Sequence, residues 1–213
     1  VQDVYQLNGG PSVTTWLPVI NGTTSGNLIV LIISGFSNGS GDLLTSVNFV
    51  GASNGLTCTE ATGTFVNSAG ASVLFSDIFY CMNNPSSANI TLHFGFTYPG
   101  SNSVQAVQAT IAEFSGAATT SADAGLGTTY NNAATTLVSL ATTGSVPQTN
   151  DLVVSGTWSG VSAPTAIGSG QIDFASDASK ISSYQLLTSG VITHTYTLAS
   201  QTAVGSIAAF KHP

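Results

Sequence analysis

Arginine is absent from the sequence, and lysine occurs only at Lys180 and Lys211. Phosphate backbones and anionic bilayers are held by clustered Lys and Arg, so this scarcity argues against nucleic acid as a partner and against adhesion to an acidic membrane surface. Acidic side chains are few as well. Nine carboxylates leave a formal net charge of −7 over 213 residues, and charged residues of all types make up 5%, against roughly 25% in an ordinary soluble domain. Solvation of the surface therefore falls to Ser, Thr, Asn, Gln and Gly. With a mean hydropathy of +0.32, little charge repulsion keeps copies apart, so either sugar covers the exterior or the copies associate. Disorder does not fit, because the chain is 42% hydrophobic and can bury a packed core.

Long apolar runs are missing too. The run "GNLIVLIISGF", Gly26 to Phe36, ends after about ten residues where a spanning helix needs about 20. Its Ile and Val content, with glycine at both ends, predicts a strand buried on both faces at the centre of a sheet. The opening "VQDVYQLNGG" has neither the basic nor the apolar region of a signal peptide, so Val1 is expected to be a processed terminus in a secreted, extracellular or cell-surface protein. No segment keeps a helical period. No G-x-S-x-G, H-E-x-x-H or phosphate-binding loop occurs.

Strand patterns with turn punctuation fill the chain. In "NITLHFGF" Ile90, Leu92, Phe94 and Phe96 alternate with Asn89, Thr91, His93 and Gly95, the period of a strand with one buried face. Similar runs include "VTTWLPVI", "SVLFSDIFYCM", "VQAVQATIAEF", "TTLVSLATT", "DLVVSGTW", "ISSYQLLTS", "VITHTYTL" and "VGSIAAFK", bounded by Gly, Asn, Pro or Ser. Together they predict an all-β, jelly-roll-like antiparallel β-sandwich.

There is also an internal echo. "GNLIVLIISGF" is answered by "TNDLVVSGTW", "NITLHFGF" by "VITHTYTL" and "ATIAEFSG" by "GSIAAFKH", in the same order. We therefore expect one domain over 1–213 made of two weakly similar halves: N-terminal strands at 1–25, a first half at 26–116, a polar crossover and strand at 117–149, and a second half at 150–213.

With its "GNLIVLIISGF", "SVLFSDIFYCMNNP", "SANITLHF", "IAEFSGA", "NDLVVSGTW" and "AAFK" segments, the chain resembles a group of secreted bacterial β-sandwich domains that recur in cell-surface proteins and beside glycoside hydrolases. The resemblance covers nearly the whole chain and implies fold and location, since its motifs are strand-core patterns without a catalytic signature. The cysteine pair departs from that pattern.

Cys58 and Cys81 each lie in or at the end of a strand-like run, outside any C-x-x-C. An even count without metal-type spacing points to one disulfide in an oxidising compartment, contributing about 3 kcal/mol; two buried thiols are the alternative.

The carboxylates are Asp3, Asp42, Glu60, Asp77, Glu113, Asp123, Asp151, Asp173 and Asp177. A glycosidase needs two of them across one cleft; Glu60 and Glu113 are the glutamates near strands, and Glu113 reads as structural. His93, His194 and His212 are scattered, and solvent-facing positions on two strands account for the first two better than a metal site does. "DFASD", Asp173 to Asp177, offers oxygen ligands without a calcium-loop glycine. Neither a metal nor another cofactor is expected.

Tyr98, Tyr130 and Trp158 are candidates for stacking on sugar rings, Trp158 alternatively packing in the core. N-x-S/T sequons stand at Asn21, Asn38 and Asn89, with Asn21 and Asn38 expected in turns.

The expected function is non-enzymatic: an extracellular subunit of a self-assembling fibril or surface coat, glycosylated, with copies of itself as partners. Val1, Val4, Tyr5 and Leu7 belong to a segment at 1–7 that alternates well enough to be a donated strand. A carbohydrate-binding or adhesin module is the alternative, and a glycoside hydrolase or lyase a remote one.

Overall fold

The computed structural model describes residues 2–7, 15–38, 44–68, 72–82, 87–98, 103–116, 128–144, 151–159, 164–176, 180–186 and 190–211. Among the described residues there is no helix. The first half holds β1 (Gln2–Leu7), β2 (Thr15–Trp16), β3 (Val19–Thr23), β4 (Leu28–Asn38), β5 (Ser46–Ala52), β6 (Cys58–Glu60), β7 (Val66–Asn67), β8 (Ser72–Cys81), β9 (Ser87–Thr97) and β10 (Ser103–Phe114). The second holds β11 (Thr128–Ala141), β12 (Leu152–Ser159), β13 (Ala166–Ile167), β14 (Ile172–Ser176), β15 (Lys180–Leu186) and β16 (Thr193–Phe210). Every ladder is antiparallel.

β4 is apolar without alternation because it has no solvent face. Ile29, Leu31 and Ile33 pack with Trp16, Ile20, Ile90, Leu92 and Phe94 of an outer sheet in which β2, β3 and β5 flank β9. On its other face Leu28, Val30 and Ile32 pack with Leu152, Val154, Ala208 and Phe210 of the second half. β9 covers only one side of that core, and it alternates as its sequence predicts. The piece "VTTWLPVI" is split into β2 and β3 around Pro18, which cannot donate to a ladder.

The second half repeats this plan with fewer interruptions. Its inner sheet runs β11-β16-β12-β15-β14, matching β1-β10-β4-β8-β6 of the first. "VITHTYTL" and "VGSIAAFK", which read as two strands, are one strand, β16. Val138, Leu140, Tyr196 and Leu198 of β11 and β16 close a core with Val153, Ile181, Ile207 and Ala209. The antiparallel sheets form the all-β sandwich that the strand pattern predicts, with one core cluster in each half and a third between β4 and β12. The strand within 117–149 belongs to the second sheet through its pairing with β16.

Ladder positions make the repeat explicit. Leu28 faces Phe114 on β10 as Leu152 faces Phe210 on β16; Val30 faces Tyr80 as Val154 faces Tyr184. The matched aromatics then cross over between the halves. Tyr80 meets Phe210, and Tyr184 meets Phe114, each pair at 5.5 Å in an edge-to-face arrangement. Reciprocal contacts of this kind are those of an isologous interface, so the halves meet about an approximate two-fold axis. Ile32 and Gly156 are matched positions near it, and Ile32 Cγ2 would lie 2.7 Å from a Cβ at Gly156.

Candidate assembly site

An inner sheet of this kind has a slot beside β10, or beside the matching part of β16, that needs a strand to satisfy its backbone groups. In the second half Thr128 to Asn132 fill it, running antiparallel to Ile207 back to Ala203. In the first half β1 fills it, from Gln2 opposite Ile111 to Leu7 opposite Ala106. The fillers agree residue for residue: Thr128 matches Gln2, and Tyr130 matches Val4. They differ in tether. The filler in β11 runs on as the same strand to Ala141, whereas β1 is described as far as Leu7 and the next described strand, β2, starts at Thr15. The connecting residues 8–14, with Gly9, Gly10 and Pro11, lie outside the described residues, as does Val1.

Cys58 and Cys81 form a disulfide that ties β6 to β8 at directly opposite positions, with Cα atoms 4.1 Å apart. Both cysteines are buried in the core beneath the outer sheet. A bond of this kind persists in an oxidising compartment. No helix among the described residues is long and apolar enough to cross a membrane.

The aromatic candidates do not form a platform. Trp158 is 3% exposed and packs against Val66, Leu74, Val204 and Phe36, so the stacking reading is corrected to a core residue; a strand buried on both faces leaves its last aromatic no route to solvent. Tyr98 leans on the first core, with its hydroxyl buried and lacking a partner among the described residues, and burial pushes its pKa upward. The side chain of Tyr130 lies outside the described residues. Asn21 and Asn38 are in strands β3 and β4, not in turns. Asn21 and Asn89 are both exposed and stand directly opposite each other.

Glu60 and Glu113 are separated by the ladder steps from β6 through β8 and β4 to β10, roughly 14 Å at the usual strand spacing, too far for a glycosidase pair. Glu113 instead accepts from the Thr24 N–H at 2.6 Å and the Asn27 side-chain amide at 3.0 Å, holding the turn before β4. Asp151 is buried at the start of β12, and Asp173 is exposed on β14. Asp42, Asp123, Asp177 and His212 lie outside the described residues. Among the described residues no three His, Cys, Asp or Glu side chains converge as a metal group.

His93 is half-buried and lines a shallow groove of about 350 Å³ with Leu17, Gly51, Ala52, Ser53 and Thr91. His194 is fully buried, which corrects its solvent-facing placement: the two strands that echo each other present their histidines to opposite sides. Its Nδ1 lies 2.5 Å from Ser155 Oγ, which is 2.5 Å from Tyr196 Oη; that oxygen is 2.8 Å from Ser183 Oγ. The Gln171 amide donates to Ser183 at 2.8 Å. If Ser183 donates to Tyr196, Tyr196 to Ser155 and Ser155 to Nδ1, every hydroxyl proton is used once, and His194 carries its proton on Nε2, which has no partner among the described residues. The Ser155–His194 contact has the elements of a nucleophile and base, but both side chains are sealed from solvent. The sequence gives no hint of this network, because its members lie on three strands and a turn.

Two buried ionisable groups give opposite pH dependences. Desolvation lowers the His194 pKa from 6.5 to about 4. Between those values the unfolded chain takes up a proton that the fold refuses, so stability falls as pH drops from about 6.5 to about 4, by about 3 kcal/mol. Asp77 is fully buried, and its carboxyl is pushed well above 3.8, first by desolvation and then by the charge of Glu60, against hydrogen bonds from Thr64 and the Ile78 N–H. Here the unfolded chain releases its proton first, so stability falls as pH rises from about 4 through the folded-state pKa. Melting curves against pH should show Asp77→Asn stabilising at pH 7, with a gain that shrinks toward pH 4. His194→Gln should flatten the acid limb; unchanged limbs would show that other groups set the profile.

No family model, no curated protein and no solved structure matches the chain.

Proposed function

We propose that this protein is a secreted structural subunit, without enzymatic activity, that assembles into a fibril or surface coat by passing β1 into the slot beside β10 of a neighbouring copy. The supporting observation is the contrast between the two slots: one is filled by the start of a continuous strand, the other by a strand joined to its half through residues 8–14. Seven residues, two of them glycine, reach up to about 25 Å when extended, so the same ladder can form within a copy or between copies. Exchange of this kind is a low-cost route to association, and head-to-tail exchange propagates into a filament when its rotation does not close a ring. A chain with only 5% charged residues offers little repulsion against it. Glycans at Asn21 or Asn89 would keep the outer sheet soluble, and the disulfide suits the extracellular space.

Negative-stain images and light scattering of the intact chain and of one lacking residues 1–7 test this reading. We expect filaments or sheets from the first and none from the second. A monodisperse monomer from the intact chain at high concentration would overturn the proposal, and so would filaments that survive the deletion.

A further inference from the structure

Lys180, one of two cations in the chain, is 3% exposed. It begins β15 opposite Trp158, and its Nζ reaches across the seam between the halves to donate to Thr110 Oγ1 of β10 at 2.5 Å. Ser182 Oγ donates to the same oxygen at 3.3 Å. Burying an ammonium group without a counter-charge is costly, and the ladder register brings one acidic residue to this position. Asp3 of β1 is the register partner of Thr110, one strand spacing, about 5 Å, away in the backbone.

The other described acids fit less well. Asp77 is on β8, two strands from β10, with Oδ1 engaged by Thr64 and the Ile78 amide. Glu113 is three residues along β10 and bound to Thr24 and Asn27. Asp173 is exposed opposite Ser183, three residues along β15, roughly 10 Å away.

We infer that Lys180, Thr110 and Ser182 form a notch that reads Asp3 of the strand lying on β10, fixing that strand's identity and register by its charge. The partner is a strand of this chain, with its acidic third residue opposite Thr110. The inference rests on β1 filling the slot, not on which copy supplies it. Backbone pairing alone accepts almost any extended segment, and a one-residue slip would turn every side chain to the other face. A charge pair between Asp3 and Lys180 would reject both a slipped strand and a foreign one. The second half shows the contrast: Thr129 occupies the position of Asp3 opposite Ser206, and Ser206 donates to the Thr64 carbonyl at 2.6 Å. That filler is continuous with its own sheet and needs no charge to place it.

Hydrogen exchange of the amides in residues 2–7, measured by mass spectrometry on the intact chain, tests the notch. It reads the hold on the strand whether one copy or two are involved, so its result is independent of filament formation. Asp3→Asn should speed exchange there by roughly tenfold or more, and Lys180→Met should do the same. The double variant should be no faster than either single one, while Lys211→Gln should leave the rates unchanged. Unchanged rates in Asp3→Asn would overturn the inference, as would single effects that multiply in the double variant. Should Lys180→Met fail to fold, Asp3→Asn alone decides.

Discussion

Replacing Gly35 with alanine is expected to destabilise the protein as much as a typical large-to-small core truncation. A Cβ at this position would lie 2.1 Å from the Ala106 carbonyl oxygen and 2.9 Å from two carbons of the Phe75 ring. Gly35 is in the middle of β4 with β8 on one side and β10 on the other, and the β10 ladder shifts register between Val104 and Ala106. The bulge turns a backbone carbonyl toward β4, and that carbonyl cannot move without breaking the ladder that also carries β1. Overpacking against a backbone atom in this setting costs about 3 kcal/mol or more, a fall in Tm of roughly 6–12 °C for a domain of this size. Gly156→Ala should cost less, because the nearest obstacles are side-chain ends of Ile32 and Ser182. Gly51→Ala, with nothing within 4 Å, should be close to neutral. Thermal melts of the three variants check the ranking, and a Gly35→Ala protein as stable as the parent would contradict the packing described for β4.

Removing the disulfide should have an effect of similar size. Cys58 and Cys81 are 23 residues apart in sequence, and closing a loop of that length in the unfolded chain contributes about 3 kcal/mol. The native geometry predicts where the loss shows first. β6 has three residues and, among the described residues, pairs only with β8, so without the bond the edge it forms should open before the rest of the sheet. Cys58→Ala with Cys81→Ala should lower Tm by roughly 6–12 °C and speed hydrogen exchange at 58–60 more than in β4. Equal protection at 58–60 in both proteins would show that β6 is held by packing instead.

Much of this architecture is legible in the sequence. A strand with two buried faces has no polar alternation to interrupt its apolar run, so "LIVLIIS" marks β4 directly; one-sided burial leaves the period of two seen in β9. The echo between the halves survives because matching strands fill matching layers. Its consequence, two stacked cores with Tyr80 and Tyr184 reaching into opposite halves, is not legible, since a strand pattern records how many faces are covered and not by what. The same ambiguity misplaces Trp158 and His194: at the end of a fully buried strand, or on a strand packed over a second core, residue type alone does not give the direction of the side chain. The Ser155, Ser183, His194 and Tyr196 network escapes for a related reason, as does the notch at Lys180. Each joins residues that only the ladder registers bring together.

Assembly by strand exchange requires β1 to fill the slot of another copy. Val4 and Ala109 are directly opposite each other in the β1–β10 ladder, and both native cysteines are engaged with each other, so one chain carrying Val4→Cys and Ala109→Cys reports which copy supplies the strand. After oxidation and denaturation without reductant, strand exchange predicts a ladder of covalently linked multimers, whereas a monomer carrying only an internal bond would contradict it.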